Sequence, residues 1–162
     1  MCDWMEVVKV ADQMGLEAAA ALAGKLWPNH TCAELEEELW SHLQVGGAVF
    51  LAREAAEIGF AQCGLRSDYV EGTRSSPVGY LEGVYVEPAF RRQGVAAKLV
   101  RACEEWAREQ GCSEFVSDAE AENTESIRFH LGAGFREANR IVCFAKELSS
   151  GKEGESSSKI HI

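Results

Sequence analysis

The chain is poor in proline and methionine, three of each in 162 residues, and poor in positive charge, with 16 Lys and Arg against 26 Asp and Glu. The net charge of −10 argues against nucleic acid as a partner, because a phosphate backbone calls for a basic surface. A cationic small molecule suits that field, and so does solubility alone. No run of about 18 apolar residues is present, so no membrane span is expected. The opening MCDWMEVVKV has neither the basic nor the apolar stretch of a secretory leader, and none is expected. None of Cys2, Cys32, Cys63, Cys103, Cys112 and Cys143 forms a C-x-x-C pair, and the histidines complete no zinc spacing, so no metal is expected. Reduced thiols, mostly buried, in a cytoplasmic protein are the expectation. Also absent are an internal repeat, a G-K-[ST] phosphate loop and a G-x-G-x-x-G fingerprint.

What is present is 46% hydrophobic residues and four tryptophans, enough for one cored domain over residues 1–148. The polar GKEGESSSKIHI places a tail over 149–162. Residues 4–10 predict a strand, and 12–26 a helix that Asp12 can cap. Pro28 ends that helix. Thr31 with Glu34 makes a capping box for a second helix over 32–44. Strands are predicted over 48–53 and 57–66 as a hairpin, then a loop over 67–78 and a strand over 79–87. Val95, Leu99, Val100, Cys103, Trp106 and Ala107 fall on one side of a helix over 95–110. A short buried strand over 114–119, a helix capped by Asn123 or Thr124, and a final strand or strand pair over 135–148 complete the pattern. The fold class is α/β, a mixed sheet flanked by helices.

The stretch YLEGVYVEPAFRRQGVAAKLV, residues 80–100, combines two unusual features. Arg91, Arg92, Gln93 and Gly94 stand between a strand and a helix that begins with the small residues Val95, Ala96 and Ala97. A helix N-terminus offers unpaired N–H groups and partial positive charge, glycine permits close approach, and arginines add charge-assisted contacts. Together they make a pyrophosphate-sized cradle. The second feature is Glu82 in an otherwise apolar strand. It reads equally as a base or as a buried carboxylate held by backbone donors.

The R-R-Q-G-V-A segment resembles the acyl-CoA signature Q/R-x-x-G-x-G/A of the GNAT acetyltransferase superfamily, and Ser126, His130, Gly134 and Phe135 match its usual A-x-x-x-Y/H-x-x-x-G-F ending. Leu26-Trp27-Pro28-Asn29-His30, Arg66-Ser67-Asp68-Tyr69-Val70, Ser75-Ser76-Pro77-Val78, Leu81-Glu82-Gly83-Val84, Ser117-Asp118 and Glu122-Asn123-Thr124 resemble the dimeric branch of the aminoglycoside 6′-N-acetyltransferases. The resemblance implies a GNAT fold, a mostly antiparallel central sheet, and direct acetyl transfer from acetyl-CoA to an amine.

It also implies roles for individual residues. An ammonium of pKa about 10.4 must lose a proton before attack, and Glu82 is the candidate base, acting through water. Val84, Tyr85 and Val86 would pair with the pantetheine arm, with a backbone N–H polarising the thioester carbonyl. Asn123 resembles a further pantetheine contact, and it reads equally as a helix cap. Glu82 and Asp118 would meet the ammonium groups of an aminoglycoside, Trp27 a sugar face and His30 its hydroxyls. Tyr69 matches a residue that reaches across a homodimer interface in relatives. Asn139 stands where relatives carry an acid, with Glu137 as a substitute nearby. Phe144 stands where many superfamily members place a tyrosine acid, which leaves protonation of the thiolate to water. Polyamine or peptide acceptors, and a non-catalytic CoA-binding module, are the competing readings.

Overall fold

The computed structural model describes residues 4–150. Local chemistry sets its helices. Asp12 Oδ1 accepts from the Gly15 N–H at 2.7 Å and starts α1, Gln13–Leu26. Thr31 and Glu34 bond reciprocally to each other's backbone N–H, the expected capping box of α2, Cys32–Gln44. Asn123 caps α4, Thr124–Gly132. Each such cap is worth about 1 kcal/mol. The remaining long helix, α3, Val95–Glu109, differs: Gly94 precedes it in the left-handed region (φ 85°), and no side chain caps it.

The strands are β1, Glu6–Lys9; β2, Ala48–Arg53; β3, Glu57–Arg66; β4, Val78–Val86; and β5, Phe115–Val116. They form one sheet in the order β1-β2-β3-β4-β5. Every pairing is antiparallel except β4 with β5. The sheet is buried on both faces. Ala48, Phe50 and Ala52 of β2 join Leu99, Val100, Cys103 and Trp106 of α3 in one core. Val49 and Leu51 join Leu16, Ala20, Leu35 and Leu39 of α1 and α2 in the other. All six residues placed on the apolar side of α3 are buried. Burying a side chain of Leu or Phe size contributes about 1.5–3 kcal/mol, so the two layers fix β4 between them.

Two expectations are corrected. The strand expected over 114–119 shrinks to Phe115–Val116, half-buried, because β5 meets β4 only at Gly79 and Tyr80 and then diverges. No strand forms over 135–148. Arg136 Nη2 donates to Gly72 O at 2.9 Å and Asn139 Nδ2 to Glu71 at 3.2 Å, which docks the start of this segment on the 67–78 loop. Beyond it Ile141, Val142, Phe144 and Leu148 are 72, 78, 93 and 89% exposed, and no strand among the described residues pairs with them. Cys63, Cys103 and Cys112 are buried thiols as expected, whereas Cys32 and Cys143 are exposed. Most of the polar tail lies outside the described residues. Among those residues no helix is long and apolar enough to cross a membrane, and no His, Cys, Asp and Glu cluster could hold a metal.

Candidate active site

The site begins with an irregularity in β4. Leu81 is paired with Cys63 and Gly83 with Gln62, so Glu82 has no partner of its own. It is the extra residue of a β-bulge, a device that re-aims side chains. Leu81 and Val84 pack on the α3 side. Glu82 borders His42 and Gly64, and Gly83 faces Leu26 and Trp27, so two successive residues open toward the α1/α2 side. A side chain at position 83 would begin 2.8 Å from the Trp27 ring, so glycine is what lets Trp27 close over β4.

Glu82 sits in a network. Arg66 Nη2 donates to its Oε1 at 2.7 Å. The Arg66 guanidinium lies 4.2 Å from the centre of the Tyr80 ring. The Tyr80 hydroxyl donates to Asp118 Oδ2. Burial first, and the Asp118 carboxylate second, hold the Tyr80 phenol well above its ordinary value, so it stays a donor across physiological pH. The structure therefore brings the expected pair Glu82 and Asp118 to one place, joined by Arg66 and Tyr80. Arg66 appeared in the sequence only inside a resembling segment, and Tyr80 only as a strand residue.

His42 was not singled out in the sequence. Its Nε2 lies 2.7 Å from Cys63 O, opposite the bulge. A carbonyl only accepts, so Nε2 carries the hydrogen. Gly47 and Gly64 make room for the ring: a Cβ would come within 2.2 Å of Nε2 at position 47 and 3.1 Å of Cε1 at position 64. His42, Val45, Gly46, Gly47, Gly64, Leu65 and Glu82 line a cavity of about 120 Å³. A water occupies about 30 Å³ of liquid volume, so several fit beside the Glu82 carboxylate.

On the far side β4 is open. β5 stops at the partner of Tyr80, so the outer edge from Leu81 to Val86, which holds Val84 and Tyr85, pairs with no strand among the described residues. Four steps from Glu82 to Val86 span about 13 Å at about 3.3 Å per residue. Val86 O accepts from Arg91 Nε at 2.8 Å, and Arg91 also lies over the Tyr85 ring. Arg91 thus ties the end of β4 to the turn ahead of α3. Arg92 is exposed with φ 61°, a conformation that non-glycine residues rarely adopt and that clusters at ligand sites. Gln93 Nε2 donates to Ala89 O at 3.2 Å. The first-turn N–H groups at Val95, Ala96 and Ala97 then point from an uncapped, glycine-led terminus. The donor set fits a diphosphate, and the open strand edge fits an amide-bearing chain.

Asn123 Oδ1 is committed to the Ser126 N–H at 3.1 Å, leaving its amide nitrogen as the group that can face a ligand. Beside it, His130 Nε2 lies 2.7 Å from Ser117 Oγ, and Nδ1 lies 2.7 Å from Ser126 O. Nδ1 therefore bears the hydrogen, and Nε2 accepts from the Ser117 hydroxyl.

Other expected residues lie outside this network. Trp27 is half-buried, edge-on to Phe60 with ring centres 6.0 Å apart. His30 is exposed, 3.6 Å from Glu34 and 3.9 Å from Glu38. Tyr69 is 77% exposed. Asn139 is bonded to Glu71, and Glu137 is paired with Arg140, so neither is brought to Glu82 within this chain.

The chain is similar to known proteins in sequence and in structure. Residues 16–135 match the Acetyltransferase (GNAT) family. Aminoglycoside N(6′)-acetyltransferase type 1 of Serratia marcescens is 41% identical over 88% of this chain and 99% of its own length; the Stenotrophomonas maltophilia protein of the same name is 41% identical over 87% and 93%. Among solved structures, the aminoglycoside N-acetyltransferase AAC(6′)-Iy in complex with CoA superposes with a TM-score of 0.84 at 38% identity, over 88% of this chain and 94% of that one. The same enzyme with a bisubstrate analogue, CoA-S-monomethyl-acetylneamine, also scores 0.84, at 37% identity over 89% and 99%. The family model spans most of the chain and the relatives match it along nearly their whole length, so the chain belongs to the GNAT acetyltransferase family.

Proposed function

We propose that this protein is an aminoglycoside 6′-N-acetyltransferase that confers antibiotic resistance. It moves the acetyl group of acetyl-CoA onto the 6′-amine by direct attack. The observation that carries this reading is the meeting of Glu82 and Asp118 where β4 loses its β5 neighbour. That place lies one open strand edge away from an uncapped helix terminus. Two carboxylates there suit an acceptor with several ammonium groups. The relatives bearing the aminoglycoside name match across most of this chain.

When bound, acetyl-CoA supplies a thioester acyl group. The N–H groups at the start of α3, with Arg92, hold its diphosphate, and the edges of Val84, Tyr85 and Val86 with the Asn123 amide hold its arm. Glu82 takes a proton from the acceptor ammonium through water in the adjoining cavity. Asp118 holds a second ammonium. Trp27 and His30 flank the sugar, and the single catalytic domain covers residues 1–148.

The working unit in this proposal is a cytoplasmic homodimer. Ile141, Val142, Phe144 and Leu148 stand exposed on an arm that pairs with no strand among the described residues. An apolar surface of this kind marks an interaction site, and a second copy is its occupant, with Tyr69 and Asn139 brought to the partner's site.

The test is acceptor-dependent thiol release from acetyl-CoA across 6′-amino aminoglycosides, spermidine and amine-bearing peptides. Saturable turnover of the aminoglycosides is expected. Turnover of spermidine with none on any aminoglycoside would overturn the assignment.

A further inference from the structure

The carboxylate assigned as base already has a cation. Arg66 ends β3, across from Val78 of β4, and its guanidinium carbon lies over the Tyr80 ring while Nη2 bonds Glu82. The same Tyr80 donates to Asp118. Three groups of the proposed acceptor pocket therefore converge on the place that Arg66 fills. What holds it there is one partly exposed ion pair and one ring contact. The Arg66 and Glu82 side chains are 47 and 26% exposed, a range in which ion pairs are weak. From residue 67 the chain also leaves the sheet for a loop.

Resting on the reading above, we propose that Arg66 is a resident cation of the acceptor subsite, which every cationic acceptor must displace from Glu82 and which thereby lowers acceptor affinity. A tethered cation competes with free ligand at an effective concentration in the millimolar range. A single ammonium that takes its place restores the same charge balance and gains no contact that Arg66 lacked. An acceptor with two or more ammonium groups also engages the remaining oxygen of Asp118, and it must displace Arg66 all the same. The displaced guanidinium is free to face water, where it needs no partner.

The experiment compares wild type, Arg66→Ala and Arg66→Lys in initial-rate assays. The acceptors are a 6′-amino aminoglycoside and a sugar of the same ring size with a single primary amine. Melting curves establish that each variant is folded. In Arg66→Ala the KM for both acceptors should fall by a similar factor, about three- to tenfold, and kcat should move less than KM. The ratio of monoamine to aminoglycoside kcat/KM stays constant, because the cost of displacing Arg66 is common to both. Arg66→Lys, which keeps the cation, should leave both KM values within about twofold of wild type. An unchanged or raised KM for both acceptors overturns the proposal. So does a collapse of kcat at constant KM, which would mean that Arg66 orients Glu82 for catalysis. Wild-type protein inactive on every aminoglycoside would instead remove the reading on which the proposal rests.

Discussion

Gly47→Ala perturbs the site from a distance. Its Cβ would start 2.2 Å from His42 Nε2 and 2.5 Å from Cε1 and Cδ2, so the ring must move. If it stays, the overpacking costs about 1–3 kcal/mol. If it swings out, Cys63 O loses its donor, at about 1–3 kcal/mol for a buried unpaired group. Alanine lowers the entropy of the unfolded chain and offsets about 0.4–1 kcal/mol of this. The net loss is about 1–2 kcal/mol, a melting temperature lower by about 2–8 °C for a chain of this size. The sharper test is the double-mutant cycle. With His42→Ala the obstacle is gone, and Gly47→Ala should then stabilise. Melting curves of the four proteins read both signs. The same sign in both backgrounds would refute the steric argument. Since His42 braces the ladder opposite Glu82, Gly47→Ala should also lower kcat for acetyl transfer.

Glu82→Gln removes the proposed base and should lower kcat about 10²–10⁴-fold while the acetyl-CoA Kd from calorimetry holds steady. Gly94→Val forces a β-branched residue into φ 85° at a cost of about 1–2 kcal/mol, and should weaken acetyl-CoA binding without changing aminoglycoside affinity in its absence. The Ser75 hydroxyl first, with the Arg74 and Ser75 N–H groups, holds the Glu114 carboxyl below its ordinary value of 4.5. A lowered carboxyl stabilises above the unfolded value and stops doing so as pH falls through the folded one. Hydrogen exchange at the Arg74 and Ser75 amides, corrected for intrinsic rate, should accelerate below pH about 4.5, and Glu114→Gln should show it already at neutral pH. Phe144→Asp should shift the molar mass read by light scattering from two copies toward one.

Much of the fold was legible because its signals are local. Asp12, Thr31 with Glu34, and Asn123 announce helix starts within three residues of themselves, and the six apolar residues of α3 announce their face by spacing alone. The glycine-led start of α3 was legible for the same reason, as Gly94 and its neighbours are contiguous. The arrangement around Glu82 was not. A bulge depends on which residue of β3 faces which residue of β4, and nothing in LEGV encodes that register. His42 looks like any polar helix residue until Gly47 and Gly64 are folded against it. Arg66 reaches Glu82 across 16 positions of sequence. The apolar residues of 135–148 read as a strand or strand pair, yet none forms there, because pattern cannot say whether a strand finds a neighbour to pair with.

The central claim is that a carboxylate-lined pocket presents a 6′-amine to the acyl donor. It is tested most directly with two aminoglycosides identical except for an amine or a hydroxyl at the 6′ carbon, each incubated with acetyl-CoA and followed by thiol release and product mass. The account predicts saturable, single acetylation of the amine and none of the hydroxyl compound. Equal turnover of both, or acetylation at another nitrogen of the hydroxyl compound, would contradict it.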